Sequence, residues 1–311
     1  MRPEKISPKQ NTFIKTYKAE LILLIITISW GLSFPIIKIS LKFISPVLFV
    51  FLRFFLTIII FYFVYRKEVH IKNYAEWKLG TILGIFLFAG FCLQTLGLEF
   101  TTASKSAFIT GTSFVIIPFV QFYFLKIKPK VENIAGGLIV MIGLSILTEA
   151  HLTIPNTGDI LTFLCAISFA IHVVLLDKYS RKANFNYLAF GQFLTMVTLS
   201  FVFVMVFEVY ITNNIFIEIN DTIILSLIYS SVFATLISII VMTKYQNKTT
   251  PVRAGIIYSM ESIFAAGFAY LLLNEILNTT QLTGVIIMII GLLISEFYSF
   301  IKFKLSNENR G

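Results

Sequence analysis

The sequence predicts an all-α polytopic membrane protein whose ten transmembrane helices form two inverted five-helix repeats. Of 311 residues, 57% are hydrophobic and only 13% charged, against roughly 45–50% and 25% in soluble domains. Ten apolar runs can be marked, at 19–39, 46–65, 77–98, 105–125, 131–147, 159–176, 187–207, 222–243, 252–273 and 281–300. Each approaches the roughly 20 apolar residues that a helix needs to cross about 30 Å of hydrocarbon. The chain also contains a degraded copy of itself. Shifted by 148 residues, Thr101 and Thr102 fall on Thr249 and Thr250, Lys105 on Arg253, Ile109 on Ile257, Leu125 on Leu273, Gly136 on Gly284 and Gly143 on Gly291. A fixed offset across half a chain marks two copies of one unit.

Residues 1–18 are polar and read as a cytoplasmic tail, followed by a retained helix because no small-residue cleavage pattern follows the first run. That helix carries Trp30, Gly31, Ser33 and Pro35, and the missing N–H of the proline predicts a kink. The second run holds Arg53, the third ends near Gln94 and Thr95, and the fourth contains Thr110, Ser113 and Pro118. Gly136 and Gly143 in the fifth run are seven apart and return to nearly one helix face, as do Gly284 and Gly291 in the tenth. Such small-residue stripes let membrane helices pack closely. Residues 148–158 read as an extracytoplasmic linker between the first repeat, 19–147, and the second, 159–301; 302–311 form a cytoplasmic tail.

The net charge of +9 does not point to nucleic acid, because the basic residues lie in short loops, where they set orientation. With the N-terminus inside, 21 of the 25 Lys and Arg fall on the cytoplasmic side. Lys38, Lys42 and Lys105 fall on the other side, and Arg53 lies within a helix. Both termini are therefore expected in the cytoplasm. Five spans per unit is an odd number, so the second unit enters from the opposite side. Inverted repeats of this kind offer two near-equivalent arrangements around a site near the midplane, the physical basis of a transporter.

Charge inside the bilayer is costly and needs a partner or a wet cavity. Glu261 lies eight residues after Arg253, about 12 Å along a helix. It is the leading candidate for the solute path and, as an isolated carboxylate, for exchanging protons as the solute binds. The plainer alternative is a structural ion pair or a hydrogen-bonded packing role. Arg53 is the second candidate for an ion pair or coupling role, although its long side chain also has the reach to extend to the outer surface. His172, near the cytoplasmic end of helix 6, is either a packing histidine or part of a cavity wall. Trp30, Ser33, Gln94, Thr110 and Tyr258 complete the expected solute-binding set. Ser113, Ser168, Gln192 and Tyr229 are further polar groups on helices. Hydroxyls in membrane helices mostly bond their own backbone, so only their joint occurrence on helices 1, 3, 4, 6, 8 and 9 speaks for a cavity between the repeats.

Enzyme chemistry finds no footing. His172 and Asp177 have the H-x4-D spacing of lipid acyltransferases, but five helical residues turn about 500°, leaving the two side chains about 140° apart. No H-E-x-x-H, nucleophile elbow or phosphate-cradling glycine loop is present. No cofactor or metal is called for; Cys92 and Cys165 sit inside apolar runs, where a free cysteine behaves as a small hydrophobe.

The stretch WGLSFPIIK in helix 1, LQTLGLEFTTASKSAFITG from Leu93, and RAGIIYSMES with LLLNEIL in helix 9 resemble the drug/metabolite transporter superfamily, of the EamA ten-helix type. Glu261 and Glu275 stand where that family has recurrent glutamates. Ser262 stands where a proline often follows the first of them, and Lys126 and Ile127 where an acid often stands in the first unit. The resemblance implies a secondary transporter in the cytoplasmic membrane that moves a small metabolite, an amino acid or similar organic solute, by alternating access and in the direction of export. Its partners would be the solute, the lipid bilayer and protons; monomer and homodimer are both open. Uptake by the same fold, or a non-transporting membrane interaction protein, are the alternatives.

Cysteines placed in the loops 148–158 and 208–221 are expected to react with an impermeant thiol reagent on intact cells. Labelling of a cysteine at position 128 or 181 in sealed cells would overturn the orientation.

Overall fold

The computed structural model describes residues 8–68, 74–148 and 156–308; His70, His151 and most of the linker 148–158 lie outside them. Ten helices follow in chain order. α1 is Pro8–Ser40, α2 Pro46–Tyr65, α3 Tyr74–Phe100, α4 Ala103–Leu125 and α5 Val131–Leu147. α6 is Thr157–Ser180, α7 Phe185–Ile211, α8 Asp221–Lys248, α9 Pro251–Leu273 and α10 Thr279–Glu308. Among the described residues eight are long and apolar enough to span a membrane, and Val131–Leu147 and Thr279–Ile294 are shorter. α1 starts at Pro8 rather than at the first apolar residue and continues through Pro35.

The sequence offset of 148 is built into the backbone. α4 breaks between Gly111 and Ser113, and α9 between Ser259 and Glu261, at equivalent positions. At both breaks the intervening residue sits at φ −63°, and its N–H bonds three residues back, Thr112 to Ile109 and Met260 to Ile257. Both helices start at a threonine whose hydroxyl accepts from the N–H three residues on: Thr102 from Lys105 at 3.2 Å, Thr250 from Arg253 at 3.3 Å. Such a cap satisfies a donor that has no partner within the helix. Both end in a left-handed residue, Lys126 at φ 58° and Asn274 at φ 54°. α9 thus breaks with Ser262, not a proline, after Glu261. The hydroxyl of Ser259 bonds back to the carbonyl of Ile256 at 2.7 Å, and that of Thr112 to Ile109 at 2.6 Å, tightening the turn in each case.

α5 and α10 run antiparallel, with their glycine stripes in contact. A Cβ at Gly143 would lie 2.7 Å from the carbonyl oxygen of Gly284, one at Gly284 2.7 Å from that of Gly143, and one at Gly291 2.7 Å from that of Gly136. The contact is reciprocal, as a two-fold axis between the halves requires.

The face where α1 begins is termed the near face, and the one where α6 begins the far face. Apolar cores close both ends. The near-face core joins Leu23, Leu83, Ile117, Leu176, Met242 and Tyr258; the far-face core joins Phe34, Ile37, Phe49, Leu98, Ala107 and Ala265.

Gly284→Leu is expected to destabilise the protein by about 1–3 kcal/mol or more, since two backbones must separate. Gly267→Ala, where a Cβ meets nothing within 4 Å, is expected to be neutral or mildly stabilising. Thermal unfolding in detergent compares them; equal effects would refute the contact as a tight packing point.

Candidate functional site

Between the two apolar cores lies a cavity lined from α1, α3, α4, α6, α8 and α9. All seven residues read from the sequence as a solute-binding set, Trp30, Ser33, Gln94, Thr110, His172, Tyr258 and Glu261, stand on its wall. The wall itself is duplicated. Thr110 and Ser113 of α4 match Tyr258 and Glu261 of α9 at the 148 offset, as Phe91 and Gln94 of α3 match Ile239 and Met242 of α8. For α1 and α6 the offset is 139, which pairs Trp30 with Phe169, Ser33 with His172 and Phe34 with Val173.

Gly31 sets the spacing on one side. A Cβ there would lie 2.6 Å from the Cβ of Phe264 and 3.0 Å from the carbonyl oxygen of Glu261, so only glycine lets α1 cross α9 at this level. Glu261 is 8% exposed and opens the second segment of α9, and its carboxylate takes no hydrogen bond or ion pair from the described residues. His172, in contrast, is held. Its Nε2 lies 2.8 Å from Oε1 of Gln192, and the Gln192 amide nitrogen donates to the carbonyl of Leu188 at 3.1 Å. With the glutamine oxygen facing the ring, Nε2 carries the proton and Nδ1 is left as an acceptor.

Other wall groups are tied down. Trp30 donates from Nε1 to the Ala234 carbonyl at 3.0 Å and meets Tyr258 edge-on at 5.3 Å between ring centroids. Tyr258 donates to Gln246 at 3.2 Å. Ser33 bonds back to the Trp30 carbonyl, and Gln94 donates to Thr110 at 3.3 Å.

Arg53 is not on the cavity wall, nor does its side chain reach the surface: it is 1% exposed. Its guanidinium donates to the Thr235 hydroxyl and to the Ala234 carbonyl at 3.2 Å, and stands 4.6 Å from the centre of the Phe91 ring. No carboxylate of the described residues lies within ion-pair distance. Thr235 and Ala234 belong to Val232–Ile237, a π-helical turn of α8, and the wider turn leaves carbonyls open to outside donors. Arg53 thus shares with Trp30 the carbonyl that fixes the tryptophan in the wall.

Each mouth of the cavity is bridged by an acid–base pair that crosses between halves. At the far face, Asp159 of α6 takes Lys105 at 3.2 Å and the Thr101 hydroxyl at 2.7 Å. At the near face, Glu20 of α1 takes Arg253 at 3.6 Å and the Thr249 hydroxyl at 3.2 Å. These are the same three positions in the two repeats. Their environments differ: the side chains of Lys105 and Asp159 are 14% and 3% exposed, those of Arg253 and Glu20 55% and 20%. The far face has further bonds. Glu275 accepts from the backbone N–H of Ala103 and Ser104 at 2.9 and 3.0 Å and from the Ser104 hydroxyl at 2.8 Å, and Lys38 donates to the Thr101 carbonyl at 2.9 Å.

Sequence reading missed the mouth pairs and the aromatic wall residues Phe91 and Phe169. The signal was present in the repeat, since Lys105 and Arg253 already coincide at 148. The 139 register of α1 and α6, which places Phe169 opposite Trp30, is hidden by a length change farther along the chain.

The profile of the EamA-like transporter family matches residues 17–148 and 156–297. An uncharacterized transporter of Archaeoglobus fulgidus is 32% identical over 281 residues, covering 90% of this chain and 86% of the relative. A probable amino-acid metabolite efflux pump of Salmonella typhimurium is 25% identical, covering 88% and 93%. One crystallographically solved chain superposes with a TM-score of 0.68 at 13% identity, over 90% of this chain and 98% of the other, and so shares the fold.

Arg53→Lys is expected to lower stability by about 2–3 kcal/mol, because an ammonium cannot reproduce the fork that serves Thr235 and Ala234. Arg53→Met removes the buried charge altogether and is expected to cost less. Thermal unfolding that ranks Met below Lys would contradict this account of the buried guanidinium.

Proposed function

We propose, for a chain that belongs to the EamA-like transporter family, that this multi-pass membrane protein exports a small organic solute, an amino acid or similar metabolite, by alternating access. One observation carries the reading: repeat-equivalent residues line the cavity, and repeat-equivalent acid–base pairs bridge its two mouths. Breaking Lys105–Asp159 while Arg253–Glu20 tightens would exchange one closed end for the other, with the matched pair at the near face offsetting part of the loss at the far face. The loop charge bias supports placing the near face and both termini in the cytoplasm. The buried far-face pair, reinforced by Glu275 and Lys38, describes a conformer sealed more firmly on the outside. A carrier resting in that state loads from the cytoplasm, which favours export. Glu261, a carboxylate without a partner among the described residues, supplies a group that can carry a proton when the solute is absent.

Untargeted metabolite comparison of cells lacking and overproducing the protein tests solute and direction together. A solute retained without it and depleted on overproduction supports export; one accumulated on overproduction would replace export by uptake. With that solute in proteoliposomes, a disulfide across either mouth, between facing positions beside Lys105–Asp159 or Glu20–Arg253 whose Cα atoms lie within about 7 Å, is expected to stop transport until reduced. Wild-type rates with either disulfide formed would end the alternating-access reading. Glu261→Gln is expected to keep the fold but lose accumulation driven by an imposed pH gradient, and gradient-driven accumulation at wild-type rates would rule out proton coupling.

A further inference from the structure

The cavity places its polar groups unevenly. Its one ionisable acid, Glu261, is more than nine-tenths buried and has no donor from the described residues. No lysine or arginine lines it. His172 adds no cation either, because Gln192 holds its Nε2–H and leaves Nδ1 as an acceptor. The indole N–H of Trp30 and the hydroxyls of Ser33 and Tyr258 are already spent on protein acceptors. Arg53, the nearest buried cation described, stands behind the Phe91 ring and spends its donors on α8. The rest of the wall is largely apolar and aromatic, with Phe34, Phe91 and Phe169 beside Trp30 and Tyr258.

Resting on the transporter reading above, but narrowing its small organic solute away from amino acids, we infer that the solute is an organic cation, an ammonium on an apolar or aromatic body that carries no carboxylate. The ammonium pairs with Glu261, and a further N–H or hydroxyl of the solute donates to Nδ1 of His172. Burial of a charge is tolerated only when it is paired, and the pairing is asymmetric here. An amine brings the one charge that Glu261 lacks. An amino acid brings the same ammonium together with a carboxylate, for which the wall holds no basic side chain. The aromatic faces favour the cation further, since a desolvated ammonium is attracted to ring quadrupoles. Gln192 does not touch the solute; it is a positioning residue that fixes which histidine nitrogen faces the cavity.

The test is a matched series of one skeleton: phenethylamine, phenylalanine, 2-phenylethanol and 3-phenylpropionate. Binding to the purified full-length protein in nanodiscs is read from Trp30 fluorescence in the Trp77→Phe background, which leaves a single tryptophan. Phenethylamine is expected to bind at least about tenfold more tightly than the other three, the scale of one desolvated ion pair. Glu261→Gln is expected to abolish that preference, and Gln192→Met to reduce amine affinity by roughly three- to tenfold while leaving the alcohol unchanged. Phenylalanine binding as tightly as the amine overturns the inference, as does a preference that survives Glu261→Gln, or no binding by any of the four. Neither result touches alternating access, which stands or falls on the mouth disulfides.

Discussion

A backbone N–H buried in hydrocarbon has no water to turn to, and each one left unpaired costs several kcal/mol. Helix starts are where such groups collect. In this protein several of them are satisfied by carboxylates from the other half of the molecule. Glu208 of α7 accepts from the N–H groups of Val47 and Leu48 at 2.6 and 3.0 Å and from the Ser45 hydroxyl at 3.0 Å, closing the start of α2. Glu68, just past the end of α2, takes the side-chain amide of Asn186 at the start of α7. Glu275 does the same service for α4. The halves are joined by these completed helix ends as well as by the apolar cores that both halves build.

These joints fall into two groups. Those between α2 and α7 and between α5 and α10 run along reciprocal contacts, and nothing in alternating access requires them to open. Those between α4 and α6 and between α1 and α9 each carry an ion pair and a threonine hydroxyl bond, and in each joint one of the two helices, α4 or α9, is broken midway. A broken helix concentrates bending at one residue instead of spreading it along a packed rod. On the proposed alternating access, Thr112 and Met260 would be the points where α4 and α9 bend while the glycine contact of α5 and α10 stays in place.

Much of this architecture was legible in the sequence, for a physical reason. Apolar runs and repeats are properties of many residues at once, so they survive the drift of any one. The 148 register of Thr102, Lys105, Gly136 and Gly143 coincides with the matching caps, breaks and glycine contacts of the structure, although the caps and breaks themselves were not read from it. The cavity wall was also legible, because polar side chains inside apolar runs are few and point somewhere definite. What could not be read were single long-range pairings. Glu208 looks like an ordinary helix-end acid until α7 is extended by its π-helical segment Val204–Ile211 and brought against α2. Arg53 looked able to reach water until the π turn of α8 offered it a carbonyl and a hydroxyl.

The bonds of Glu275 have no counterpart at the near face, where the equivalent position is Ile127. Two identical half-length chains assembled head to tail would carry such a latch at both ends or at neither. Joining the halves into one chain removes that restriction. Each end can then mutate alone, and the relative occupancy of the two end states becomes a heritable quantity rather than a consequence of symmetry. In this molecule Glu275, present in one copy of the motif and replaced by Ile127 in the other, is one place where the two ends have become unequal.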